Sequence, residues 1–217
     1  MEHPMHDYWI TRLKQVGAAF EANNFEVHVT ENAEAARDLV AFTLLPAIAP
    51  KSISWGGSMT FMATGLYAML KERTDIQVLD TFDKSLSKED ALERRRQALL
   101  VDLFFTGANA LTETGKMVNL DMIGNRVGAL AFGPRRVIVL AGRNKIVPDV
   151  DAAVARIKNY AALVNTRRLD KKTPCAKTTA CHDCSSPDRI CNTWVITEKS
   201  FPKARIVLVL INQDLGF

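Results

Sequence analysis

The sequence predicts an α/β domain with a mostly parallel, open sheet flanked by helices. Segments with a strand period alternate with helical segments of about ten to fifteen residues, which is typical of βαβ units. The segments 103–106 and 137–141 are apolar on both faces, as strands of a parallel sheet are when helices cover both sides. The 217 residues suffice for a single domain, 1–217. The only shift in composition begins at Arg167, so we predict a cysteine-rich insertion over 167–191.

Apolar residues at helical spacing, together with end signals, predict the helices. Asn32 and Ser87 are suited to cap two of them, Asn23 and Asn24 end the first, and Pro46 stops the second. The predicted helices run through 9–20, 32–44, 62–70, a segment that begins at 87, and 150–164. The predicted strands are 25–29, 52–55, 76–79, 103–106, 137–141, 194–196 and 206–211.

Composition and charge exclude several classes of protein. With 47% apolar and 24% charged residues, the chain is not expected to be disordered. The longest apolar run, 206–211, is too short to span a bilayer, and Asp7, Arg12 and Lys14 interrupt any signal-peptide core. We therefore expect a cytoplasmic protein with no membrane partner.

The net charge of +4 is partly local. Residues 167–177 hold five basic side chains and one acidic one, Asp170. This placement favours compensation of nearby negative charge, or an acidic partner, over nucleic-acid binding. Parallel α/β domains of this size often form homodimers, although no periodic surface stripe indicates an interface.

All four cysteines lie in one short segment, at Cys175, Cys181, Cys184 and Cys191, after 174 residues that contain none. In a reducing compartment, such a group is more typical of a metal site than of disulfides. The Cys181-x2-Cys184 pair lets two thiolates reach one centre from a single turn. Zinc ribbons usually carry two such pairs, so a 4Fe–4S cluster is favoured and zinc is the alternative. Free or oxidisable thiols are the third interpretation.

Three polar clusters follow strands and predict a cleft for a small organic anion. The first is a glycine-rich strand-to-helix turn, whose backbone N–H groups suit a phosphate or a carboxylate. The second combines Gly, Asn, Asp and Arg after strand 103–106, and the third places two cations after strand 137–141. An ordinary set of tight turns is the alternative. The candidate ligand-binding residues are Gly56, Gly57, Ser58, Thr60, Gly107, Asn109, Asn119, Asp121, Asn125, Arg126, Arg143, Asn144 and Lys145.

Glu113 lies between Thr112 and Gly115 in the second cluster. A carboxylate there is a candidate nucleophile or base. The residues alone favour a solvated turn.

Several motifs together resemble the LUD-domain family, the lactate-utilisation proteins. The similarity lies in residues 119–127 and 132–147, supported by Trp55-Gly56-Gly57-Ser58 and Thr112-Glu113-Thr114-Gly115. Some members carry a segment similar to 181–187, Cys-His-x-Cys-Ser-Ser-Pro. The resemblance covers essentially the whole chain.

The resemblance implies a ribose-5-phosphate isomerase/CoA transferase-like fold (NagB/RpiA/CoA transferase-like) and a role in oxidation of L-lactate to pyruvate beside iron–sulfur partner proteins. Thr106, Asn109 and Asn125 stand where the isomerases carry acidic and lysine residues, which disfavours sugar isomerisation.

Three functions follow from these observations. The first is a redox-associated subunit or accessory protein that binds an organic anion and holds a metal centre. The second is an acyl or CoA-type transferase with a structural metal, in which Glu113 acts like the CoA-transferase nucleophile. The third is a ligand-binding module without chemistry of its own.

Overall fold

The computed structural model describes residues 4–217, and its centre is a six-stranded, fully parallel sheet. The strand order is β1-β10-β7-β4-β2-β3, so β10, the last strand in the chain, is inserted beside the first. The central strands are buried along their whole length, as parallel strands covered on both faces must be. The strands of this sheet are β1 (Glu26–Thr30), β2 (Ser52–Trp55), β3 (Gln77–Leu79), β4 (Leu103–Gly107), β7 (Arg136–Gly142) and β10 (Ile206–Ile211).

A second, four-stranded sheet has the order β8-β5-β6-β9. Its pairings are mixed, because β6 runs antiparallel to both β5 and β9 while β5 and β8 are parallel. The strands are β5 (Ala110–Thr112), β6 (Met117–Asp121), β8 (Ile146–Val147) and β9 (Thr193–Thr197). This sheet extends from the carboxyl ends of β4 and β7, since β5 follows β4 directly and β8 follows β7.

Helices cover both faces of the main sheet. On one face, Leu13, Val16 and Phe20 of the first helix pack against a core that includes Phe104 and Val139. On the other face, the helices between β1 and β3 pack on strands β2, β4, β7 and β10. The helices are α1 (Pro4–Ala22), α2 (Ala33–Leu39), α3 (Leu45–Ile48), α4 (Met59–Ala63), α5 (Leu66–Leu70), α6 (Lys88–Gln97), α7 (Asn125–Ala131), α8 (Val150–Arg156), α9 (Ala162–Arg168) and α10 (Pro174–Thr178).

The structure confirms the predicted α/β class and each predicted strand segment. Asn32, Ser87 and Asp149 cap α2, α6 and α8, each through a side-chain oxygen that accepts a backbone N–H. Two predicted helices contain a π-helical turn, at Val40–Leu44 and Ile157–Ala161, so each is continued by a further α-helix.

The second sheet differs from the prediction. The sequence indicates polar loops at 107–121, but these residues form β5 and β6 because pairing along two short strands satisfies their buried backbone groups. Helix α7 and strand β8 were not predicted. Among residues 4–217, no helix is long and apolar enough to cross a membrane.

Candidate functional site

The carboxyl ends of β2, β4 and β7 bring the predicted polar clusters to one edge of the main sheet. A Cβ atom on Gly56 would lie 2.5 Å from Cγ of Arg126, so only glycine lets the α7 arginine cross the β2 turn. At the end of β4, Gly107 is in close contact with Ser58 for the same reason. The first two clusters of the sequence therefore do meet in space.

Lys145 is the most unusual residue at this edge. It lies in the short 3-10 turn after β7, it is only 6% exposed, and no Asp or Glu side chain within residues 4–217 forms an ion pair with it. A buried ammonium without a counterion is costly. Burial, followed by repulsion from Arg156 and Arg126, lowers the pKa of Lys145 to about 7.

Arg156 and Arg126 are the two cations near Lys145. Arg156, on α8, donates from Nε to the Asn144 carbonyl at 3.1 Å and from Nη1 to the Asn109 carbonyl at 2.8 Å. Arg126 is held by the Asp121 carboxylate, 3.2 Å from Nε, and by the Leu120 carbonyl. Within residues 4–217, Nη2 of Arg156 and Nη1 of Arg126 have no hydrogen-bond acceptor, so each can bind an anionic ligand. We call Thr60, Arg126, Asn144, Lys145 and Arg156 the cationic cleft.

The chain's own residues 214–217, which we call the strap, lie across the cleft. Three successive main-chain oxygens of the strap accept hydrogen bonds from cleft side chains. Thr60 Oγ1 donates to the Leu215 carbonyl at 3.1 Å, Asn144 Nδ2 donates to the Gly216 carbonyl at 3.3 Å, and Lys145 Nζ donates to a main-chain oxygen of Phe217. A ligand that uses the same donors must displace these main-chain oxygens.

Arg143, although predicted for ligand binding, pairs with strap residue Asp214 at 2.9 Å and with Asn212. Its guanidinium also lies 5.2 Å from the centre of the Trp9 ring. These partners use its charge to anchor the strap to α1 and β7.

Two of the predicted asparagines join the β4–β5 connection to strand β6 through side-chain hydrogen bonds. The side-chain oxygen of Asn109 accepts a hydrogen bond from the backbone N–H of Leu120. The side-chain oxygen of Asn119 accepts one from the backbone N–H of Asn109. Both bonds fix the geometry of the β4–β5 connection. Nδ2 of Asn119 is buried without an acceptor among residues 4–217, and such groups normally bind water or a ligand.

The remaining predicted residues have simpler surroundings. The Ser58 hydroxyl caps α4 by accepting from Phe61 N, and the α4 helix is only five residues long. The space around Gly57 is open, because a Cβ atom there would meet nothing within 4 Å. Asn125 is the first residue of α7, beside the Asp121–Arg126 pair.

Glu113 lies in the turn between β5 and β6, where it forms an ion pair with Arg12 of α1. Its side chain is 40% exposed. Asn23, the residue after α1, donates to the carbonyl groups of Thr114 and Gly115 and fixes the same turn. The Glu113 carboxylate therefore contacts α1, and its role as a nucleophile stays a prediction.

The cysteine loop, residues 173–191, folds on the end of α9. All four thiols are free; Cys175 is buried and Cys181 is exposed. Burial raises the pKa of Cys191, the cations of Lys158 and Arg189 oppose that rise, and the thiols of Cys181 and Cys175 add to it. Within residues 4–217, no three His, Cys, Asp or Glu side chains converge at metal-ligating distance.

Arg189 links the middle of the cysteine loop, at 183–184, to its end at Cys191. Its guanidinium donates to the carbonyl groups of Cys184 and Cys191 and pairs with Asp183 at 2.8 Å. A cation beside the thiols offsets the charge of deprotonated sulfur, so the type of donor and the charge around it suit a thiolate-bound centre, while the thiols themselves do not converge in the described residues.

The cysteine loop adjoins the cationic cleft. Asn192, next to Cys191, donates from its backbone to the Asp121 carbonyl and from its side chain to the Met122 carbonyl, each at 3.0 Å. Asp121 is the residue that orients Arg126. The sequence suggests that the cysteine loop is a separate appendage. In the fold, Asn192, the residue after the loop, is hydrogen-bonded to Asp121, whose carboxylate orients Arg126.

Comparison with known proteins now assigns the family. Residues 13–211 match the family described as LUD domain. The chain belongs to the LUD domain family. This membership supports a lactate-utilisation-related protein.

A solved structure has the same fold as this LUD domain. A DUF162 family protein from Deinococcus radiodurans aligns with 94% of this chain and 97% of its own, with a TM-score of 0.50 and 18% sequence identity. No curated protein matches the chain.

Sequence reasoning missed three parts of the LUD domain's cleft. Arg156 is one of two cations in a helix interpreted only by its apolar face, Trp9 lies more than 100 positions from its partner Arg143, and the strap carries no motif. Gly216, with φ +65°, is the one local signal for the strap, because glycine is favoured where the backbone is left-handed.

Proposed function

We propose that this LUD-domain protein binds a small organic anion in the cationic cleft and holds a four-cysteine metal centre, favoured as 4Fe–4S, beside it. In this proposal it is a subunit or accessory protein in oxidation of L-lactate to pyruvate, together with iron–sulfur partner proteins. The observation that carries the anion site is Lys145, a buried lysine next to Arg126 and Arg156 with no Asp or Glu partner within residues 4–217.

Electrostatics support an anionic ligand. Three cationic side chains near one another repel, and a carboxylate bound among them would offset that repulsion. The free N–H groups on Arg126 and Arg156 suit a carboxylate, which accepts paired hydrogen bonds from guanidinium groups. Family membership makes lactate and pyruvate the first anions to test.

Binding is measured by calorimetry with pyruvate, L-lactate and, as a neutral control, lactamide. We expect the two carboxylates to bind and the amide to bind at least about tenfold more weakly, which is the loss of one charge-assisted interaction. Arg156→Gln should weaken the carboxylates by a similar factor, while Arg95→Gln, on α6, is the matched control. Equal binding of lactamide and lactate would contradict an anion site.

The thiol chemistry supports the metal centre. Cys175, Cys181, Cys184 and Cys191 would hold it, with Lys158 and Arg189 offsetting the charge of the thiolates. A 4Fe–4S cluster held by four thiolates exchanges single electrons at a potential tuned by nearby charge and hydrogen bonds. In binding it, the exposed 181–184 segment would close on Cys175 and Cys191.

Metal analysis of anaerobically prepared protein tests this part. Iron and sulfide, with a brown absorbance and a paramagnetic signal on reduction, support the cluster, and Cys184→Ala should remove the signal while Ser185→Ala leaves it. Zinc in colourless protein would replace the cluster by the structural-metal alternative. Protein that binds neither metal would refute the centre.

A further inference from the structure

Strand β9 (Thr193–Thr197) leaves one edge of the second sheet open. It is the last strand in the order β8-β5-β6-β9 and pairs only with β6, so the backbone groups on its other side lie outside the ladder. An open edge can pair with a strand of another chain, and proteins usually protect such edges with charged side chains, proline or a short strand. Residues 193–197 contain no charged residue and no proline.

The other three sheet edges are protected. Strands β3 and β8 have only three and two residues, and β1 carries Glu26 and His28. Strand β9 is therefore the edge that is best suited to receive a strand from a partner.

A groove of about 370 Å³ lies beside β9. One wall consists of residues 195–199, and the other consists of residues 130–131 of α7 together with Phe201, Arg205 and Ile206. We call it the edge groove. Thr197 Oγ1 in its wall is buried and has no hydrogen-bond partner among residues 4–217, although buried hydroxyl groups normally have one.

Large apolar side chains surround the edge groove. Phe201 in its wall is 87% exposed, and Ile196 of β9 is 45% exposed. Phe132, which directly follows groove residue Ala131, is 86% exposed. Clusters of exposed apolar side chains with a polar rim are typical of protein interaction sites.

The walls of the edge groove are fixed before any partner binds. The guanidinium group of Arg205 donates to the carbonyl groups of Ala129, Leu130 and Pro134, which joins the end of α7 to the segment before β10. The backbone N–H groups of residues 200 and 204 donate to the carbonyl groups of residues 23 and 24, which holds the loop that carries Phe201. Because little has to be ordered on binding, the apolar contacts would contribute directly to affinity.

The charge around the edge groove distinguishes between possible occupants. Lys199 and Lys203 are exposed and form no ion pair with an Asp or Glu side chain within residues 4–217. Glu198, the only acidic residue in 193–206, is paired with Lys116. A second copy related by two-fold symmetry would add its own lysines to the interface and no unpaired carboxylate to match them. An acidic partner would complement them.

We propose that the edge groove binds an extended segment of a partner protein, which adds to the second sheet as a strand beside β9. This segment carries apolar side chains at alternate positions and acidic residues near its ends. Its main chain would bond to β9, its apolar side chains would contact Phe201, and its carboxylates would pair with Lys199 and Lys203. The edge groove shares no residue with the cationic cleft, so this inference is independent of the proposed function.

Peptide selection and hydrogen exchange on the full-length protein test the proposal. The probe is a displayed library of random peptides of about ten residues, long enough to pair with all of β9. We expect enriched peptides to alternate apolar residues and to contain Asp or Glu, and a synthetic copy of one to slow amide exchange in 193–199. An analogue with proline at alternate positions, which lacks the donors that face β9, should bind at least about tenfold more weakly.

Substitutions of exposed residues test the edge groove without changing the core. Phe201→Ser should weaken the synthetic peptide at least about tenfold. Phe42→Ser is the matched control, because Phe42 is 77% exposed and lies outside the groove. Lys199→Glu combined with Lys203→Glu should change the preference from acidic to lysine-containing peptides. The exchange map of the wild-type protein decides the matter even if a variant does not fold.

Several results would overturn the inference. They are a library that yields no binding peptide, enriched peptides that are basic, and a bound peptide that leaves exchange in 193–199 unchanged. Sedimentation of the protein alone as a dimer that Phe201→Ser dissociates would show that a second copy occupies the groove. Binding to phosphatidylglycerol vesicles that Phe201→Ser abolishes would show a membrane-binding surface instead. Failure of lactate and pyruvate to bind would contradict only the proposed function.

Discussion

Replacement of Lys145 by methionine should change how stability depends on pH. The folded protein lowers the pKa of this group from 10.5 to about 7. Between those values the unfolded chain binds a proton that the folded chain does not, so wild-type stability falls as pH falls from about 10.5 to 7. Each pH unit inside this window is worth up to about 1.4 kcal/mol.

Methionine has a similar length and no proton to lose, so Lys145→Met removes this slope. As pH falls from 9.5 to 7.5, the free energy of unfolding of the variant should therefore rise by about 2 kcal/mol relative to that of wild type. This difference is smaller than the two pH units alone would give, because the buried site relaxes when the lysine is charged. Other titrating groups cancel in the difference between the two proteins.

Urea unfolding at half-unit steps from pH 7 to pH 10 measures this difference. Lys203→Met, which removes an exposed lysine from the same chain, is the matched control for loss of a charge. Parallel curves for wild type and Lys145→Met would show that Lys145 stays protonated in the folded protein, and the lowered pKa would be wrong.

Three further substitutions test the parts of the site. Gly216→Val should displace the strap, because the φ of Gly216 is +65° and a Cβ atom there would lie 3.0 Å from Thr60 Oγ1. We therefore expect an amine reagent to modify Lys145 faster in this variant. Gly57→Ala is the control, because a Cβ atom at Gly57 meets nothing within 4 Å. Asp121→Asn should cost about 2 kcal/mol in denaturant unfolding, since it weakens a buried contact that positions α7. Arg189→Ala should reduce the iron bound after anaerobic reconstitution by releasing Cys184 from Cys191, and unchanged iron would show that the loop closes without this arginine.

Much of the fold was predictable from local patterns. The apolar runs 103–106 and 137–141 can only be buried by helices on both sides, so they determine a parallel sheet. Caps such as Asn32 and Asp149 act through bonds to residues three positions away, which sequence spacing reveals directly. The second sheet was missed because β5 and β8 have only three and two residues, too short for a period to be seen.

The candidate site was predictable in its residues and not in their partners. Lys145, Asn144 and Arg126 follow from the rule that ligand clefts form where parallel strands end. Their surroundings depend on Arg156, which lies 11 positions after Lys145, and on the strap, which lies about 70 positions after both Asn144 and Lys145.

The sequence by itself therefore determined the α/β class, the polar edge of the sheet and the grouping of four cysteines, because period, caps and short spacings are local properties of the chain. Only the tertiary structure decided that Lys145 is buried near two arginines, that residues 214–217 cover it and that Asn192, the residue after the cysteine loop, contacts Asp121. Burial and electrostatic repulsion depend on which distant segments meet, and a single sequence carries no local signal for those contacts.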